Sequence, residues 1–264
     1  MGSMTIFDRA TALEPVSEGL FRGQISEDFW VQAGPNGGYM TAIALRGALA
    51  SAGDAARLPR SIHVRFLSPP RAQSFELSTE IIRRGRQMTT VGVRMRQDGK
   101  TCLEASACLS EPFSPIQFQD ARPPEALALE AGEPVPKQIP LNHRYDLVRA
   151  IGGPLRASPT ALTGGYIRFA EPRAIDVLAL AALWDAWPPA VFARAMEQRF
   201  RGAVPTVEAS CFFRAPSRVV PPGEHALIKV ESRCASDGFV EEDAELWSAD
   251  GTLLAQSRQL AALM

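Results

Sequence analysis

Two stretches of this 264-residue chain carry helix-like runs with almost no polar face, and the same succession of strand-like segments follows each. Between Gly37 and Ala50 the polar positions are Thr41 and Arg46; between Ile175 and Trp184 the only one is Asp176. A helix that is apolar all round must be surrounded by protein. The economical solution is a helix wrapped by a curved antiparallel sheet, once in each half. After the first run comes Pro59-Arg60-Ser61-Ile62-His63-Val64-Arg65-Phe66-Leu67-Ser68-Pro69-Pro70. After the second, which continues to Trp187 before Pro188-Pro189 stops it, comes Pro205-Thr206-Val207-Glu208-Ala209-Ser210-Cys211-Phe212-Phe213-Arg214-Ala215-Pro216. Aligning Pro59 with Pro205 puts Phe66 on Phe212, Leu67 on Phe213 and Pro70 on Pro216.

The remaining segments alternate with period two, as half-buried strands do. Phe75–Ile81 has one apolar and one polar face, and Val91, Val93 and Met95 alternate with Gly92, Arg94 and Arg96. Asp98-Gly99 is a hairpin signal before Lys100–Leu109. In the second half His225–Ala235, Gly238–Trp247 and Leu253–Leu263 repeat the plan. There Asp237-Gly238 answers Arg84-Gly85-Arg86, and Asp250-Gly251 answers Asp98-Gly99. Between the halves, Pro112–Pro140 holds seven of the 21 prolines, which reads as an extended linker because proline fixes φ and donates nothing to a ladder.

Bulk properties exclude several classes. A net charge of −1 gives no footprint for nucleic acid or an acidic membrane. The four cysteines form no CxxC pair and have no His-rich partner, so neither a metal site nor a disulfide framework is expected, and reduced buried thiols are. The longest apolar stretch, around Val177–Trp184, falls short of the roughly 20 residues that span a bilayer. Met1-Gly2-Ser3-Met4 reads as an added tag followed by a natural start. These features point to a cytoplasmic protein.

Several local signatures carry a resemblance. They are Gly34-Pro35-Asn36-Gly37-Gly38-Tyr39 entering the first helix, Ser61–Leu67 after it, Arg83-Arg84-Gly85-Arg86, and Ala182-Leu183-Trp184-Asp185-Ala186-Trp187-Pro188-Pro189-Ala190. In this order and spacing, the chain resembles the acyl-CoA thioesterase II family and its thioesterase-like relatives. The resemblance implies an α+β double hotdog, in which each repeat wraps a long central helix in a curved antiparallel sheet. Residues 4–111 form the first repeat, 112–140 the linker and 141–264 the second. It also implies hydrolysis of acyl-CoA thioesters by a water that Asp185, Thr206 and Gln259 hold, with Gln256 as the second choice for the glutamine. Coenzyme A enters as part of the substrate, no cofactor or metal is required, and a homodimer is expected. Where the family has an Asp-His pair after the threonine, this chain has Glu208-Ala209 with Val207 between, which marks a distant branch.

Each residue also has a plain reading. Asp185 follows an unbroken apolar run near a helix C-terminus, where the macrodipole disfavours negative charge, so a raised pKa suited to a general base is expected. Thr206 alone is an ordinary strand residue. Gln259 stands among Leu260, Ala261 and Ala262, and an inward amide there needs partners. Its counterpart in the first repeat is Ala107, and Ser61 answers Thr206, so one active site per chain is expected. Gly37 and Gly38 either ease helix entry or present amides to a thioester carbonyl, with Tyr39 beside them as a substrate contact. Arg86, with Arg83 and Arg84, is either a solvated turn or a contact for a CoA phosphate. Met40, Ile43, Leu183 and Trp187 are expected to line an acyl tunnel. His63 reads as structural, placed to meet Glu208. Two rivals stand beside the hydrolase: a non-catalytic acyl-CoA or acyl-ligand binding protein on the same fold, and an enoyl-CoA hydratase, which would need a histidine near Asp185.

Overall fold

A computed structural model describes residues 4–32, 34–152, 158–195 and 202–264; Met1, Gly2 and Ser3 of the expected tag lie outside them. A short helix α1 (Ile6–Ala10) precedes the hairpin β1 (Glu14–Ser17) and β2 (Leu20–Gln24). The long helix α2 (Gly37–Ala52) follows, then β3 (Leu58–Phe66), β4 (Ser74–Arg84), β5 (Met88–Gln97) and β6 (Lys100–Ser110). The second half runs β7 (Glu133–Pro134), β8 (Tyr145–Ile151), β9 (Ala161–Phe169), α3 (Val177–Leu183) and α4 (Val191–Ala195). It closes with β10 (Thr206–Phe213), β11 (Ala226–Ser232), β12 (Phe239–Trp247) and β13 (Leu253–Ala262).

These strands form one antiparallel sheet in the order β1-β2-β4-β5-β6-β3-β10-β13-β12-β11-β9-β8-β7. Read outward from the β3–β10 junction, both halves follow one plan. The strand after the helix comes first, then the last, the middle and the first of the three that follow it, and finally the hairpin that precedes the helix. The duplication expected from the sequence is therefore a property of the topology. Tight turns punctuate both copies as their residues require. Asp98 and Gly99, like Asp237 and Gly238, have positive φ at both positions, the geometry of a type I′ hairpin turn.

The register corrects the sequence alignment by one residue. Leu67 and Ser68 both donate from N–H to the Cys102 carbonyl, and Arg214 and Ala215 do the same to Leu254. Phe66 thus corresponds to Phe213, not Phe212. Each strand carries a bulge near its start, between Pro59 and Ser61 and between Thr206 and Glu208, so Pro59 rather than Ser61 is the counterpart of Thr206. A one-residue slip exchanges the faces of a strand, and matching Pro59, which lies inside its ladder, to Pro205, which precedes β10, introduces that slip. At the junction His63 pairs with Ser210, Nδ1 to Oγ 2.8 Å, while Glu208 faces Arg65 instead of His63.

The helices depart from the expected symmetry. Asn36 caps α2 by accepting the Tyr39 N–H, and the helix runs sixteen residues to a left-handed Gly53. Asp176 caps α3 likewise, but α3 has only seven residues, so the expected long helix is absent from the described second half. Pro188 removes a helical N–H and clashes one turn back at Trp184, which forces the chain into a turn there. The apolar faces meet in one core: Met40, Ile43, Leu183 and Trp187, expected along a tunnel, are all buried in it. The linker runs over the second half, where Gln119 bonds Gly251 and Leu253. Among the cysteines, Cys102 and Cys211 are buried, whereas Cys234 is exposed.

Candidate active site

α2 and α3 pack so closely that a Cβ on Gly38 would stand 2.2 Å from the Ala182 carbonyl oxygen. Gly38 is thus required by the helix contact itself. This approach brings the turn after α3 against the N-terminus of α2. Asp185 sits in that turn, partly accessible, and its Oδ2 accepts the Gly38 N–H at 3.0 Å and the Asn36 Nδ2 at 2.8 Å. Asn36 Nδ2 also reaches the Asp185 carbonyl, 2.7 Å, so one capping residue starts α2 and holds the acid.

Burial pushes the pKa of Asp185 up to about 6, against the opposing pull of the Gly38 and Gly37 amides, Gln259 and Asn36. The raised value expected from the sequence is found, but for a different reason. The helix terminus that Asp185 faces is the positive end of α2, which favours its charge, so desolvation does the raising.

The bulge at the start of β10 turns Thr206 inward, and β13 presents Gln259 on the same face. Thr206 Oγ1 donates to Gln259 Oε1 at 2.6 Å, and the Gln259 side chain is near enough to Asp185 to pull its pKa down. Asp185, Thr206 and Gln259 therefore lie in one cluster. Gln256 is on the opposite face, where Arg214 and Glu245 engage it.

Two cluster members were not singled out from the sequence. Asn36 had a signal, an Asn ahead of Gly-Gly at a helix start, which is a capping pattern. Glu242 had one too, because in β12 it occupies the inward phase with Val240, Ala244 and Leu246. It is 5 % exposed, accepts the Gln259 Nε2 at 2.8 Å and the Ala190 N–H at 2.6 Å, and burial holds its pKa well above the usual carboxylate range.

Other expected site residues lie elsewhere. Gly37 and Gly38 are at the cluster, but the structure turns their amides onto Asp185. Tyr39 points into the core: it stacks on Phe29 with centroids 4.7 Å apart, donates to the Ala10 carbonyl and accepts from Ser26 N–H. Its hydroxyl is committed to the fold. Arg86 is exposed at the β4–β5 turn, where neighbouring Arg84 bonds the carbonyl of Ala52 at the far end of α2, about 20 Å of helix from Gly38.

Comparison with known proteins follows this division. A family model described as the acyl-CoA thioesterase N-terminal domain matches residues 26–110, and one described as the acyl-CoA thioesterase C-terminal domain matches residues 120–263. An uncharacterized protein of Mycobacterium tuberculosis is 26% identical over 97% of both chains. A conserved protein of unknown function with a hot dog fold from Alicyclobacillus acidocaldarius superposes with a TM-score of 0.89 at 25% identity, covering 98% of each chain. The acyl-CoA thioesterase II TesB2 of Mycobacterium marinum superposes with a TM-score of 0.78 over 98% of this chain and 97% of that one; its 19% identity speaks to the fold alone.

Proposed function

This chain belongs to the acyl-CoA thioesterase family, and on that premise we propose that it hydrolyses acyl-CoA thioesters with a water held among Asp185, Thr206 and Gln259. The observation that carries the reading is their convergence, from a helix-ending turn, a strand bulge and a strand centre, into one cluster.

The Asp185 carboxylate takes a proton from the water as the water oxygen attacks the thioester carbonyl carbon. The carbon–sulfur bond then breaks, and the proton passes from Asp185 to the departing CoA sulfur. A base with a pKa near 6 is ionised at neutral pH yet still basic enough to act. Thr206 spends its hydroxyl proton on Gln259, which leaves its oxygen lone pairs free to accept from the water. As Asp185 becomes protonated it needs the α2 amides less, while the oxyanion at the carbonyl needs them more. Gly37 and Gly38 leave those amides open to such a handover. Arg86 stands too far away for the reaction centre and suits only the phosphate end of CoA. A cytoplasmic location and a homodimer belong to the same proposal, and sedimentation velocity measures the second.

Thiol release from short to long acyl-CoA esters tests the reading. The wild type should release CoA with a kcat/KM that rises through about pH 6, and Asp185→Asn should lower it by on the order of 10²–10⁴-fold. CoA-ester binding without release by the wild type would assign the binding-protein role instead. The same substitution has a predicted sign for stability. The folded chain keeps the Asp185 proton to about 6, whereas an unfolded chain releases it near 3.8, so stability falls as pH rises through that window. Asp185→Asn removes the Asp185 share of the fall and leaves that of Glu242, and urea unfolding of both proteins at pH 4 and pH 7 measures the difference.

A further inference from the structure

Among the described residues Glu242 is the least exposed Asp, Glu, Lys or Arg. Burying a carboxyl is costly unless donors meet it, and the first half places Val91 at the corresponding point. The two donors that Glu242 meets belong to separate parts of the candidate site. Ala190 lies in the turn that carries Asp185, five residues on, so its N–H bond to Oε2 anchors that turn to β12. Gln259 is the cross-strand partner of Glu242, and its Nε2 donates to Oε1.

The second bond sets a direction along the cluster. With Nε2 facing Glu242, Gln259 turns Oε1 toward Thr206 and receives its hydroxyl proton. Turned the other way, the amide would set its oxygen against Glu242 Oε1, which meets it only by taking the carboxyl proton onto that oxygen, and its N–H groups against the Thr206 hydroxyl, which would then point its proton at the water. We propose that Glu242 is a positioning residue that fixes the amide orientation of Gln259, and through it the acceptor face of Thr206, while anchoring the Asp185 turn. The proposal rests on the hydrolase reading for its kinetic consequence and on geometry alone for the orientation.

Glu242→Gln keeps the volume but sets an NH2 group against one of two donors. It should lower kcat by on the order of 10²-fold, the loss expected when a catalytic group is held out of place, with KM within about threefold of wild type. In a Gln259→Ala background the further loss should be much smaller, because only the Ala190 bond to the Asp185 turn is left for Glu242 to act through. Wild-type kcat in Glu242→Gln, or losses that multiply in the double variant, would overturn the proposal. Glu242→Val takes the residue of the first half, so it keeps the test open if the glutamine variant fails to fold, and the same loss is expected. A second readout needs no turnover. The side-chain NH2 signals of Gln259, identified by their absence in Gln259→Ala, should shift in Glu242→Gln. Unmoved signals would sink the proposal even if the wild type proved inactive, whereas shifted signals in an inactive protein would sustain it and reject only the hydrolase reading.

Discussion

Four equivalent positions separate the two halves of the molecule. Nine residues past the capping Asn36 stands Leu45; nine past the capping Asp176 stands Asp185. Pro59 answers Thr206, Val91 answers Glu242, and Ala107 answers Gln259. In the first half all four are buried and apolar, and the helix runs through without a break. In the second half all four are polar, and the helix ends two residues before the acid. The comparison teaches that the scaffold does not require polar groups at these positions. The first half shows how the same space fills when it is only a core. The second spends that packing on a hydrogen-bonded cluster and breaks its helix so that Asp185 can face the N-terminus of α2.

Substitutions that exchange the two characters test this contrast. The largest effect is expected when the second half is made to resemble the first. Gln259→Ala removes the amide that bonds Thr206 and Glu242 beside Asp185, and kcat/KM should fall by on the order of 10²–10³-fold in thiol-release assays. A loss below threefold would mean that the cluster is packing and not machinery. The reverse exchange should act on stability. Ala107→Gln buries an amide among apolar neighbours with no Glu or Thr to meet it, which should cost about 1–3 kcal/mol in urea unfolding and add no turnover. A neutral result would show that the first half holds hidden polar partners. The smallest effect is expected at the junction between the halves. His63 bonds Ser210 on the outer face of the sheet, so His63→Ala should cost about 1 kcal/mol of stability and leave kcat/KM within twofold. A large loss of turnover alone would bring the outer face into the reaction.

Much of this layout is legible in the chain. Helices without a polar face require a wrapping sheet, and period-two alternation with Asp-Gly turns places its strands. Asp185 and Gln259 stand out as polar residues in apolar surroundings. Glu242 was equally legible in principle, since it breaks the inward phase of β12. Glu241 and Asp243 beside it, half-buried and paired with Arg258, conceal that break, because three acids in a row read as a solvated stretch. Tyr39 misleads in the opposite way. It is next to the site in sequence, yet one residue along a helix turns a side chain by about 100°, and it points into the core.

The sequence by itself determined the duplication, the strand-and-turn order and the identity of the residues too polar for their surroundings, because these depend on local periodicity and on the cost of burying polar groups. Tertiary structure decided the register of β3 against β10, the end of α3 and the direction of every bond in the cluster. Those depend on contacts between segments far apart in the chain: the close approach that only Gly38 permits against Ala182, and the pairing that sets Glu242 opposite Gln259. Asp185 takes its raised pKa from the same source, since burial is a property of the assembled core and of no single segment.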